Sequence, residues 1–199
     1  MQPPQRKLKY HVAMSLDGFI ARDDGSADCF PGDLQAEHVQ DYFGSLALAY
    51  DTVLMGRETY EVGLKAGVTD PYAPLDTYVF SRTLKESPNP RVHLVRDDAA
   101  RVVRELKARP GQGWNLKGVM SQLDVQLPKD IYLCGGGVLA TALLGEGLVD
   151  EILIKLNPVV LGSGKGLFSR LPRDLPLQLL SSKTYPTGVV LLRYQVKSG

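Results

Sequence analysis

Residues 130–168, DIYLCGGGVLATALLGEGLVDEILIKLNPVVLGSGKGLF, decide how the rest of the chain is read. Ile131 to Cys134 is a short apolar strand that runs into Gly135, Gly136 and Gly137. A helical pattern follows at once, with Val138, Leu139, Ala142 and Leu143 on one face at the helical period. Three glycines admit a positive φ and let a ligand approach the backbone without Cβ clashes. The helix start adds unpaired N–H groups and the positive end of a dipole, which suit a phosphate. We read the turn as a phosphate site; a tight strand-to-helix turn without ligand is the alternative.

The same residues fit G-x-G-x-x-A, with Ala140 as the last small position. A dinucleotide site of Rossmann type needs an acidic residue at the end of the following strand. Here that strand ends Leu156-Asn157-Pro158, so the Rossmann reading is weak. Gly162 to Gly166 also fails as a P-loop, because Val159 and Gly166 stand where a glycine and a Ser/Thr are required.

Outward from this stretch, Leu8 to Met14 reads as a strand in which Leu8, Tyr10 and Val12 alternate with Lys9 and His11. Ser15-Leu16-Asp17-Gly18 breaks it before Phe19-Ile20-Ala21. Asp33 is the expected N-cap of a helix to about Ala49, with Val39, Tyr42, Phe43 and Leu46 on one face and Glu37 and Asp41 solvated on the other. Asp51 to Met55 is a strand ending in Gly56-Arg57-Glu58-Thr59. Arg57 is open to two readings, a ligand contact or a surface pair with Glu58 or Glu61. Thr77 to Phe80 is a strand ending in Ser81-Arg82. Val92 to Val95 follows, His93 reading as a satisfied strand histidine, and then a helix carries Ala99, Val102, Val103 and Leu106 on one face. Arg109 to Lys129 reads as a loop pinned by Trp114 and Leu116. Leu177 to Tyr185 and Val189 to Val196 form an antiparallel hairpin.

Composition bounds the function. The 199 residues are 44% hydrophobic and 23% charged with a formal net charge of +1, which makes no case for nucleic acid or an anionic membrane as partner. Cys29 and Cys134 fit neither a disulfide framework nor a metal spacing. The start MQPPQRKLKY has no apolar signal core and no run approaches membrane-spanning length, so a cytoplasmic protein is expected. We expect one domain over 1–199 with a short disordered tail at 1–7.

Right-handed β-α-β units would bring Gly56/Arg57/Thr59, Ser81/Arg82 and Gly135–Gly137 to one edge of a parallel sheet. Two arginines and two hydroxyls suit a dinucleotide with an extra phosphate, an NADP-type cofactor, because arginine meets phosphate as a planar fork.

At this point five segments in order, MSLDGFIA, VLMGRETYE, YVFSRTL, IYLCGGGVLATALL and LVDEILIKLNPVVLGSGKGLF, resemble the RibD C-terminal reductase branch of the dihydrofolate reductase superfamily. The resemblance covers roughly residues 8–196. It implies a three-layer α/β/α fold: a mixed, mostly parallel sheet of about eight strands with an antiparallel C-terminal hairpin. It implies NADPH-dependent hydride transfer to a pteridine, pyrimidine or related heterocycle, as in riboflavin and folate metabolism. By that resemblance Gly56, Arg57 and Thr59 would hold the adenosine phosphates, and Ser81 and Arg82 the 2′-phosphate. Gly135, Gly136, Gly137, Val138 and Leu139 would take the pyrophosphate and nicotinamide side. Ala13 and the Ser15–Gly18 turn would border nicotinamide and substrate, with Asp17 or water as proton source. The Gly162–Phe168 loop would lie near the substrate mouth, with Lys165 the best candidate for a substrate phosphate. Folate reductases carry a pocket-facing carboxylate one turn before an aromatic of the first helix. If Phe43 is that aromatic, the position falls on Val39, so the folate-protonating acid is missing.

Two further readings compete: a nucleotide-binding or regulatory protein that keeps the fold without turnover, and a structural dimer module. A homodimer is expected from the resemblance and from the hairpin. Its strand at 189–196 carries Val190, Leu192, Tyr194 and Val196 on one face and Val189 and Leu191 on the other, and a sheet-edge strand needs cover for both.

Overall fold

Strand β1 (Leu8–Met14) lies inside the sheet, paired in parallel with β6 (Asp130–Gly135) on one side and β7 (Glu151–Leu156) on the other. The computed structural model describes residues 5–111, 129–171 and 173–197. Besides these three strands the main sheet contains β3 (Tyr50–Gly56), β4 (Asp76–Phe80), β5 (Val92–Val95), β9 (Leu177–Thr184) and β10 (Val190–Val196). The eight run in the order β5-β4-β3-β6-β1-β7-β10-β9. The first six are mutually parallel, and β10 runs antiparallel to both β7 and β9. A separate two-stranded sheet joins β2 (Phe19–Ala21) to β8 (Lys165–Gly166).

Helices cover both faces, which is what a parallel sheet requires. Leu8, Tyr10 and Val12 of β1 pack with Val103 and Leu106 of α3 (Ala99–Ala108) and with Ala140, Leu143 and Leu144 of α4 (Gly137–Gly145). The opposite face packs Met55, Val53 and Tyr132 against α1 (Glu37–Ala49) and α2 (Arg57–Lys65). The alternation read in Leu8–Met14 therefore holds, but its polar side is not a solvent side. His11 is buried and Lys9 pairs with Asp130 at 2.6 Å, because an interior strand has helices on both sides. This is the three-layer α/β/α architecture of the dihydrofolate reductase type that the sequence leads one to expect.

Several local expectations are corrected. Helix α1 starts at Glu37 from Ala36, without a side-chain cap. Asp33 instead closes the preceding turn, accepting from Gln35 N at 2.9 Å and, through its carbonyl, from Ala36 N at 3.0 Å. On α4 the inward face is Ala140, Thr141, Leu143 and Leu144, while Val138 is 76% exposed and Ala142 is exposed. A helix that is apolar nearly all round does not announce its buried face; the turn before it sets the phase. Of the residues expected in a tail over 1–7, Arg6 is buried, pairs with Asp51 and donates to Lys129 O, Leu106 O and Thr52 Oγ1 at 2.9, 3.1 and 2.9 Å. Strand β10 is second from the edge, not the edge itself. The edge is β9, exposed at all its positions, including Leu177, Leu179 and Leu180. Residues 112–128 of the loop expected to be pinned by Trp114 and Leu116 lie outside the described residues. No helix among the described residues is long and apolar enough to cross a membrane.

Candidate functional site

Strands β4, β3 and β6 are consecutive in the sheet and parallel, so Phe80/Ser81, Gly56 and Gly135 finish side by side, as the β-α-β pattern predicts. Gly56 is the N-cap of α2 and Gly136 the N-cap of α4, and neither helix has a side-chain cap. By contrast α3 begins under the Asp98 carboxylate, which accepts from Ala100 N at 2.8 Å. The two uncapped starts touch: a Cβ on Gly136 would lie 3.5 Å from Gly56 N and 3.6 Å from its Cα. Free first-turn N–H groups and the positive ends of two dipoles thus meet at one point, which is an anion-binding arrangement.

Each of the three glycines has its own reason. Gly136 holds φ +90, in the left-handed region. A Cβ on Gly137 would run into the Gly166 carbonyl of β8, and one on Gly135 would come within 3.2 Å of Thr59 Oγ1. Thr59 therefore serves the packing of α2 against β6, and the glycine run by itself does not testify to a ligand.

The arginines divide. Arg57 is bonded to both oxygens of Glu61, at 3.0 and 3.1 Å, with Glu58 at 3.9 Å, so the surface-pair reading is realised. It is half-exposed, and an i,i+4 pair of that kind is worth only a few tenths of a kcal/mol, about 0.3–0.5. A phosphate dianion could displace Glu61. Arg82 is exposed and has no carboxylate partner among the described residues. Ser81 is buried; its Oγ accepts from Leu84 N at 2.9 Å and Thr83 N at 3.2 Å, which leaves its O–H free to donate. Lys165, expected at a substrate phosphate, is exposed and pairs with Glu58 at 3.2 Å.

The Ser15–Gly18 turn is a clasp. Asp17 accepts from Ser15 Oγ at 2.6 Å, Gly162 N at 2.7 Å and Leu161 N at 3.1 Å, and the Gly18 carbonyl accepts from Leu167 N at 2.9 Å. Together they tie the end of β1 to the 159–168 loop. The Ser15 hydroxyl, then the Gly162 and Leu161 amides, hold the Asp17 carboxyl down to about 2. With its carboxyl so stabilised as the anion, Asp17 favours the water alternative of the two proton sources read from sequence. It orients a loop.

On α1, Val39 is buried and Phe43 is 53% exposed. The aromatic that faces the sheet is Tyr42. Its hydroxyl is 2.8 Å from that of Tyr132 and its ring stands edge-on to His11 at 5.3 Å. One turn earlier comes His38, buried, with Nδ1 3.2 Å from Thr187 Oγ1. Glu37 and Asp41, expected to be simply solvated, both pair with Lys183 of β9, at 2.8 and 2.7 Å, and Asp41 also accepts from Tyr185 Oη at 2.8 Å. Both carboxylates are thus engaged at the β9 side of the sheet, and Val39 stands where the folate-type acid was sought. Sequence reasoning missed the wall made by His11, Tyr42 and Lys155; the signal available was a lysine inside the apolar run EILIKL. Among the described residues no His, Cys, Asp and Glu group of three or more could hold a metal.

A family model described as the RibD C-terminal domain matches residues 6–191. The uncharacterised protein YyaP of Bacillus subtilis is 30% identical over 201 residues, covering 96% of this chain and 95% of its own length. Among solved structures, a candidate riboflavin biosynthesis protein from Shewanella sp. PV-4 superimposes with a TM-score of 0.73 at 25% identity, covering 97% of this chain and 99% of that one. Dihydrofolate reductase from Enterococcus faecalis, complexed with NADP(H), gives a TM-score of 0.65 over 98% of both chains. At 13% identity that likeness is one of fold.

Proposed function

The chain belongs to the RibD C-terminal domain family, and from that premise we propose that it is an NADPH-dependent reductase acting on a pteridine-, pyrimidine- or related heterocyclic acceptor. The observation that carries this reading is the meeting of two uncapped helix starts at Gly56 and Gly136, one strand away from the unpaired Arg82. The backbone of Gly56, Arg57, Gly136, Gly137, Val138 and Leu139 would hold the pyrophosphate, with Thr59 and Gly135 keeping the two turns together. Ser81 and Arg82 would hold the 2′-phosphate, a planar fork and a hydroxyl donor being suited to it. Ala13 and the Ser15–Gly18 clasp would border the nicotinamide. When bound, the cofactor supplies the hydride. The chain's residues bind and orient, and water is the proton source, since Asp17 holds none to give.

A second reading, a nucleotide-binding protein without turnover, draws support from the engagement of both α1 carboxylates, Glu37 and Asp41, by Lys183. Steady oxidation of NADPH with a panel of pterins, flavins and ribityl-pyrimidines separates the two. Turnover with at least one acceptor is expected; cofactor binding with no turnover across the panel would give the place to the second reading. We also propose a homodimer in which a second copy covers β9, where Leu177, Leu179 and Leu180 stand exposed on an unpaired sheet edge. Light scattering that returns the 21.8 kDa of one chain would overturn the dimer.

A further inference from the structure

Lys155 is the one residue of β7 whose charge nothing on the sheet answers. It stands in register with Ala13 on β1 and Leu191 on β10, so it projects from the face that α1 covers. It is half-buried, and its ammonium lies 5.8 Å from the centre of the Tyr42 ring. The other strand-borne cations differ. Lys9 pairs with Asp130, Arg193 with Glu151, and Lys183 with Glu37 and Asp41. The ammonium of Lys155 has neither a carboxylate nor a hydrogen-bond acceptor among the described residues. Burial lowers its pKa, as expected of a cation partly removed from water.

A second unsatisfied group shares this wall. His11, two residues before Ala13 on the same face of β1, is 4% exposed, and its Nδ1 has no partner. Its ring is edge-on to Tyr42. Burial first, then the charges of Lys155 and Lys9, push it down to about 4, so it stays neutral and adds no second cation. Buried polar groups in native proteins are normally satisfied, and a concentration of exceptions marks a place where a partner comes and goes. The Tyr42 ring gives the ammonium a cation–π contact that leaves its N–H donors unused, and the Tyr42 hydroxyl is bonded to Tyr132.

We propose that Lys155 is the substrate-recognition residue of this site: its ammonium binds an anionic oxygen on a planar six-membered nitrogen heterocycle held between Ala13 and Tyr42. The site thereby selects acidic pyrimidines or pteridines over neutral ones of the same shape. This deepens the reductase reading and rests on its assignment of the nicotinamide to the neighbourhood of Ala13. Phosphate recognition belongs to the other side of the site, at Arg82 and the glycine turns; an oxyanion on the acceptor ring meets Lys155.

The test uses the full chain with saturating NADPH and three probes: barbiturate, whose charge is on the ring oxygens; orotate, whose charge is on a carboxylate; and uracil, which is neutral. Calorimetric titration is expected to show barbiturate, orotate or both binding about tenfold to a hundredfold more tightly than uracil, the range for a charge-assisted hydrogen bond. Preference for barbiturate alone assigns the anion to the ring, and for orotate alone to a substituent. Lys155→Met keeps the length and apolar stem and is expected to abolish the preference. Lys155→Arg keeps the charge and is expected to retain it. Equal affinity of the wild-type protein for charged and neutral probes overturns the proposal without any variant, as does an undiminished preference in Lys155→Met. NADPH affinity, measured first, is expected to be the same in all three proteins. Its absence in the wild type would remove the reductase reading, a failure distinct from loss of the anion preference.

Discussion

At the amino edge of the parallel sheet Glu151 is 1% exposed and shared by Lys7 at 2.8 Å, Arg193 at 2.7 Å and Lys9 at 3.9 Å, whereas at the carboxyl edge Arg82 and Lys155 face no carboxylate among the described residues. The amino edge continues in the same manner. Asp150 accepts from Leu8 N at 2.7 Å and pairs with Lys107 at 2.6 Å, and Arg6 spans from Asp51 to Leu106 O. Every buried ion named there has an answering group. At the other edge two helices begin uncapped against each other and two cations stand without a carboxylate among the described residues. A buried charge is tolerated only with a partner. The amino edge therefore answers its buried charges within the fold, while the half-buried Lys155 and the exposed Arg82 at the carboxyl edge have no carboxylate among the described residues. The charge balance, more than any motif, tells the two edges apart.

The largest effect is expected where that balance is complete. Glu151→Ala takes the buried partner from Lys7 and Arg193, Lys9 keeping Asp130, and should lower unfolding free energy in urea by about 3–5 kcal/mol, with NADPH still raising the melting temperature of what remains folded. A loss below about 1 kcal/mol would mean the cluster behaves as a surface pair and would break the comparison. The pH dependence follows. Burial pushes the Glu151 carboxyl up, but the bonds from Arg193 and Lys7 and the charge of Lys9 outweigh it, leaving the group below its ordinary value. A depressed carboxyl contributes stability that is present above its unfolded pKa and is lost as pH falls through the folded one. The acid limb of the wild-type stability curve should therefore be steeper than that of Glu151→Ala.

An intermediate effect is expected at the glycine turn. Gly136 sits at φ +90, so Gly136→Val strains the backbone as well as filling the space beside Gly56. A cost of about 1–3 kcal/mol is expected, together with loss of the thermal shift by NADPH. Full stability with unchanged NADPH affinity in calorimetry would show the turn to be neither strained nor a phosphate site.

The smallest effect on stability, and the most selective on function, belongs to Arg82. Because it is exposed and unpaired, Arg82→Gln should leave stability within about 0.5 kcal/mol. NADPH affinity should fall about tenfold, or about 1.4 kcal/mol, while NADH affinity holds. If both cofactors bind the wild-type protein equally at matched concentrations, the 2′-phosphate assignment is wrong and Arg82 is surface charge.

What the sequence determined by itself was everything carried by neighbours along the chain. The alternation in Val190–Val196, the helical spacing of Ala99–Leu106, the strand-glycine-helix turn at 131–139 and the ordered set of five motifs were enough for the architecture, the family and the edge on which the candidate site lies. Periodicity and turn chemistry are short-range, so consecutive residues encode them. Partner choice is not short-range. That Arg57 turns to Glu61 while Arg82 stays free, that Asp17 is spent on amides 144 and 145 residues away, and that Tyr42 rather than Phe43 meets the sheet were decided only in the folded chain. The buried face of α4 was likewise invisible in a helix apolar on every side. Whether a charge is answered depends on which strands become neighbours. Lys155 could be seen in sequence as a lysine in an apolar strand, but only the placement of β7 between β1 and β10, under α1, sets it over the Tyr42 ring with no carboxylate among the described residues.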